Sequence, residues 1–168
     1  MSDVLNRNRD CILQEERSFA RAVAVCAVDK PKTSFWLVVI PILFLYYGYL
    51  IQKYKKSLAR FADDFMITRN RAMDMAWDVV TEGGKPEIEK NEWFGTMHGD
   101  LQRPYSIWLV ALMEYYAFLL QGEGASFADL VRGRYTNRSE YLHALNRLNS
   151  AEREFYAALK PQMKAMEG

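Results

Sequence analysis

Thr33 to Gln52 reads TSFWLVVIPILFLYYGYLIQ, and no charged residue lies between Lys32 and Lys53. The hydrocarbon core of a bilayer is about 30 Å thick and a helix rises about 1.5 Å per residue, so a span takes roughly 20 residues. The stretch meets that length, although its strictly apolar part, Phe35 to Ile51, is near the short end. Trp36 stands near one end, and Tyr46, Tyr47 and Tyr49 gather near the other, where amphipathic rings favour the lipid–water boundary. Lys53, Lys55 and Lys56 follow, and their alkyl stems can carry the ammonium groups to the headgroups. Pro41 removes one backbone donor and is expected to bend the helix, which spanning helices tolerate. The stretch therefore reads as a single membrane-spanning helix, residues 33–52, with the rest of the chain on either side.

Two other readings are weaker. A buried core helix would also be uncharged, but a stretch this long lacks the polar stripe of a surface helix. A cleavable signal peptide would begin sooner and end in small residues, whereas this run follows a charged segment and ends in Tyr47-Gly48-Tyr49. Around the stretch, Lys53, Lys55, Lys56 and Arg60 on the C-terminal side slightly outweigh Arg21, Lys30 and Lys32 on the other. The positive-inside tendency then places the C-terminal domain in the cytoplasm, on a margin of one residue.

Composition limits what lies outside the anchor. The chain has 168 residues, room for one modest domain beside a span. Lys plus Arg number 22 and Asp plus Glu 21, so no net field draws the protein to nucleic acid. The cysteines, Cys11 and Cys26, both precede the anchor and fit no metal or redox spacing.

The periodicities predict an all-α protein. Residues 1–32 form an amphipathic helical segment: Val4, Leu5, Ile12, Leu13 and Phe19 recur at helical intervals, and the chain turns apolar from Ala22 to Val28. Such a helix can lie on a membrane, dock on a partner, or fold back on the C-terminal domain. Residues 53–168 form a helical domain. A stalk helix over 53–82 carries one stripe of Phe61, Phe65, Met73 and Trp77, a face for the core or for a partner, and Gly83-Gly84-Lys85-Pro86 stops it. A loop over 83–104 leads to a core helix over 105–121, YSIWLVALMEYYAFLLQ, apolar around most of its circumference. That helix is either the centre of the domain or a second span, and Glu114 in its middle favours the centre. C-terminal helices fill 126–160. Ser126 with Asp129, and Asn137 with Glu140, are capping pairs, and Tyr141, Leu145, Leu148, Phe155 and Leu159 make a narrow stripe.

Candidate chemistry is sparse. Glu140 and His143 form an E-x-x-H on one helix face, the half-motif by which di-iron bundles present ligands. With Glu114 it suggests a metal or proton site. A di-iron centre needs a second such motif and further carboxylates, and the other histidine, His98, sits in a glycine-containing loop. An acid in an apolar helix is ordinarily paired with an arginine or accepts a tyrosine hydroxyl, and Arg103, Arg132 and many tyrosines are available to Glu114. Arg132, Arg134 and Arg138 with Tyr135 form the densest basic patch away from the anchor, suited to water or lipid headgroups. There is no phosphate loop, G-x-S-x-G, H-E-x-x-H, C-x-x-C or EF-hand loop.

The sequence thus points to a membrane-anchored, non-catalytic helical accessory, assembly or scaffolding subunit. Its partners are the lipid bilayer and other proteins in a membrane complex, or further copies of itself, and neither a cofactor nor a metal is expected. The alternative is a small membrane-bound redox or lipid- and quinone-handling enzyme using Glu114, Glu140 and His143. A third reading, a sensor, pairs two stalks through Phe61, Phe65, Met73 and Trp77.

Overall fold

The computed structural model describes residues 2–27, 41–83 and 99–166. These residues form α1 (Ser2–Ala27), α2 (Pro41–Glu82), α3 (Gly99–Leu120), α4 (Phe127–Arg134) and α5 (Arg138–Met166), with no strand among them. The protein is all-α, as the periodicities predict. Two compact units divide the chain: Met1–Leu13 with Arg69–Gly168, and Gln14–Thr68.

The first unit is a helical bundle built around α3. Leu109, Leu112, Tyr116, Leu119 and Leu120 of α3 are fully buried, and Tyr105 and Trp108 nearly so. Ile12 of α1, Ala72, Met73 and Ala76 of α2, Leu130 of α4, and Leu148, Ala151 and Phe155 of α5 close the core around it. The neighbours of α3 explain why it is apolar on so much of its circumference: several helices touch it at once. Burial of its aromatic residues is worth about 1.5–3 kcal/mol for each large side chain. Trp108 stacks on Phe155 at 5.2 Å between ring centroids, and Tyr105 meets Phe155 at 5.5 Å.

Contacts give the directions of the helices. Arg9 pairs with Asp74 and lies over Trp77, while Leu5 shares a groove with Val79 and Val80, so α1 and α2 are antiparallel. Arg69 lies over Trp108, and Val79 and Val80 share that groove with Leu120, so α2 and α3 are parallel. Glu114 meets Arg147 and Trp108 meets Phe155, so α3 and α5 are antiparallel.

The helix ends follow local chemistry. Gly83, at φ 68°, ends α2, donating its N–H to the Val79 carbonyl at 3.2 Å. The Ser126 hydroxyl accepts from the Asp129 N–H at 3.3 Å and donates to the Asp129 carboxylate at 2.8 Å. Asn137 Oδ1 accepts from the Glu140 N–H at 2.9 Å, and the Glu140 carboxylate accepts from the Thr136 N–H at 3.1 Å. The end of α3 is finished from a distance. Buried Asn8 of α1 donates its Nδ2 to the carbonyls of Leu120 and Gly122, at 2.9 and 2.7 Å. The Leu120 carbonyl is among the orphans that every helix end leaves, and Gly122 lies just past that end.

Two boundaries differ from the sequence expectation. Helix α3 starts at Gly99, ahead of Pro104, which sits inside it. Proline there forgoes only its own bond to the carbonyl of residue 100, while Leu101 and Tyr105 are buried on either side of it. Helix α5 likewise passes through Pro161 to Met166.

Of the uncharged stretch, residues 33–40, including Trp36, lie outside the described residues, and Pro41 to Gln52 open α2. Pro41 is the first described residue of that helix, so the expected bend falls outside the description too. Among the described residues, no helix is long and apolar enough to cross a membrane. In the second unit, Phe19 of α1 meets Phe65 of α2 at 5.9 Å between ring centroids, and Ala20, Ala24 and Met66 are buried.

Candidate functional site

Residues 107, 110 and 114 of α3 fall on one helical face, three and four apart, and 143, 147, 150 and 154 of α5 repeat that spacing opposite them. Because the helices are antiparallel, the two rows enclose a groove of about 740 Å³. Its floor is apolar and partly small: Ile107, Val110, Ala111 and Ala151. Its rim is polar, with Glu114, His143, Asn146, Arg147, Ser150 and Glu154. Ile107 is 45% exposed although it belongs to the central helix.

Glu114 and Arg147 form an ion pair at the groove's end, with side chains 51% and 63% exposed. At that exposure such a pair contributes about 0–1 kcal/mol. A second hollow of about 310 Å³ lies beside the pair, sharing Ala111, Glu114, His143 and Arg147 and adding Phe118, Tyr135 and Leu148. Burial raises the pKa of Tyr135 above the ordinary 10.0, helped by Tyr141 and opposed by Arg134 and Arg147. Tyr156 is also raised, by burial and then by Glu152, with Arg69 opposing. Both phenols hold their protons more tightly than free tyrosine.

The structure sorts the sequence candidates. Glu114 and His143 come together at the groove, and Glu140 does not join them. Its carboxylate turns back to cap α5, which is what a capping box does. Glu114 is exposed rather than buried, and its partner is Arg147 rather than Arg103 or Arg132. Sequence reasoning missed Arg147 because the pairing follows from the antiparallel register of α3 and α5. Among the described residues, no three His, Cys, Asp or Glu side chains are placed to hold a metal ion. His98 lies outside them.

The basic patch is dispersed. Arg134 lies 4.1 Å above the Phe118 ring, and Arg132 is 3.8 Å from Asp129. Met73 is buried in the core, and Phe65 and Trp77 are half-buried within their own units, whereas the side chains of Phe61, Tyr46, Tyr47 and Tyr49 lie outside the description. Lys53, Lys55 and Lys56 are exposed. Cys11 and Cys26 are free thiols.

No protein-family model, curated protein or solved structure matches this chain.

Proposed function

We propose that the protein is a membrane-anchored, non-catalytic helical subunit that scaffolds or assembles a membrane complex, taking a partner helix in the groove between α3 and α5. The observation that carries this reading is the exposure of Ile107 and the half-exposure of Val110 on the most apolar helix of the bundle. The small floor residues Ala111 and Ala151 let a third helix approach closely, ridge into groove. Anchoring is supported by the uncharged stretch Thr33–Gln52 and by the exposed Lys53, Lys55 and Lys56 that follow it. The enzymatic alternative loses two of its three residues to other duties, since Glu140 caps α5 and Glu114 pairs with Arg147.

The test is native electrophoresis of mildly solubilised membranes, with mass spectrometry of the band that holds the chain. The expected result is a larger assembly of fixed stoichiometry. Ile107→Glu should leave helical content unchanged and weaken the assembly by the roughly 30-fold that a 2 kcal/mol anchor residue represents. Unchanged migration of the variant would refute the groove as the contact, and migration of the wild-type chain alone would refute the subunit reading.

A further inference from the structure

The outward stripe of α3 matches itself when turned end for end. Between Leu101 and Leu120 that helix carries two charges, Arg103 and Glu114, and three exposed residues, Arg103, Ile107 and Glu114. Half-buried Val110 completes the row. The four positions are spaced by four, three and four, which at 3.6 residues per turn keeps them within an arc of about 60°. From one end the row reads basic, apolar, apolar, acidic, over about 16 Å of helix.

An antiparallel second copy presents the reverse order. With the two helices crossing between Trp108 and Leu109, Arg103 of each copy stands opposite Glu114 of the other, and Ile107 stands opposite Val110. Spacings of three and four are those of helices that pack at a shallow angle of about 20°. Both charges have capacity for a partner. Arg103 forms no ion pair with another described residue, and the Glu114 carboxylate, its side chain 51% exposed, can accept a second donor beside Arg147. A parallel copy would instead set like charges against each other at both ends, so the charges select the antiparallel arrangement.

We infer that the partner seated along the groove is a second copy of this chain, joined about a two-fold axis through α3, with Ile107 and Val110 as the apolar centre and two Arg103–Glu114 pairs as the ends. The inference rests on the subunit reading proposed above and names the partner at that site. A second copy fits because it carries the complementary row at every position. A two-fold contact also closes on itself, so assembly through this face stops at two copies.

The test reverses the charges. The full chain is purified in a mild detergent, and its mass is followed by sedimentation over a dilution series. The wild-type chain is expected to be a dimer. Arg103→Glu alone or Glu114→Arg alone opposes like charges at both ends and should raise the dissociation constant at least about tenfold. An equimolar mixture of the two variants brings opposite charges together again and should dimerise, as should the chain that carries both substitutions. Arg103→Asp and Glu114→Lys replace any variant that loses helical content. Dimers that survive either single reversal would overturn the inference, as would a loss that neither the mixture nor the double variant reverses. A monomeric wild-type chain that still migrates in a larger assembly from solubilised membranes would overturn it and leave the subunit reading standing, with another protein in the groove. A chain that is monomeric in both experiments would overturn both readings.

Discussion

Asn8 shows how much one polar side chain can hold. It is fully buried and gives both Nδ2 hydrogens to the end of α3, at Leu120 and Gly122. Replacing it with alanine strands two carbonyls in the core, so Asn8→Ala should cost about 1–3 kcal/mol, read as a lower urea midpoint with unchanged slope. Nothing local signals this role, because an asparagine among arginines looks like the wet face of an amphipathic helix. The capping residues were legible for the opposite reason: Ser126 and Asn137 act on N–H groups three residues away, and the chain alone supplies that geometry. Glu114 was legible only as an acid in need of a partner. Tyr135 and Tyr156 set a limit at high pH. Their folded-state pKa values lie above 10.0. Below pH 10 both states keep the protons and these phenols leave stability intact. Above it the unfolded chain releases them first, so stability falls as pH rises toward the folded-state values. From about pH 10 upward the urea midpoint should drop, and it should drop less in the Tyr135→Phe, Tyr156→Phe double variant.

At the scale of elements, the link between α3 and α4 holds a close approach of backbone to side chain. A Cβ on Gly124 would stand 2.6 Å from Asp129 Cβ and 3.0 Å from the Leu130 nitrogen. Gly124→Ala must push the first turn of α4 away and loosen Leu130 from the core, at a cost of about 1–3 kcal/mol. Gly99→Ala is the control, since among the described residues nothing lies within 4 Å of its added Cβ, and no loss is expected in the same thermal melt. The core helix expected over 105–121 stops just ahead of Gly122, and the structure adds the close approach that requires glycine at 124. Sequence reasoning misplaced the start of α3 because Pro104 is a strong local stop signal. Burial of Leu101 and Tyr105 overrides that signal, and only packing against the other helices reveals it.

For the whole molecule, apolar periodicity was enough to read an all-α bundle with Tyr105–Leu120 at its centre, because core faces repeat at helical spacing. Which helices adjoin was not readable, since α2 and α3 turn out parallel and α3 and α5 antiparallel, and register decides which polar groups meet. The groove is a product of that arrangement: Ile107 and Ala151 become one surface only when two distant segments pack. The proposed anchor, Thr33–Gln52, would tie the protein to a bilayer, and flotation is the experiment that decides it. The full chain, mixed with liposomes and spun through a density gradient after an alkaline, high-salt wash, is expected to rise with the lipid. A variant with Val38→Arg and Leu43→Arg is expected to stay behind with its helical content retained. If the wild-type chain stays in the dense fractions after the wash, or the doubly charged variant floats equally well, Thr33–Gln52 is not a membrane anchor.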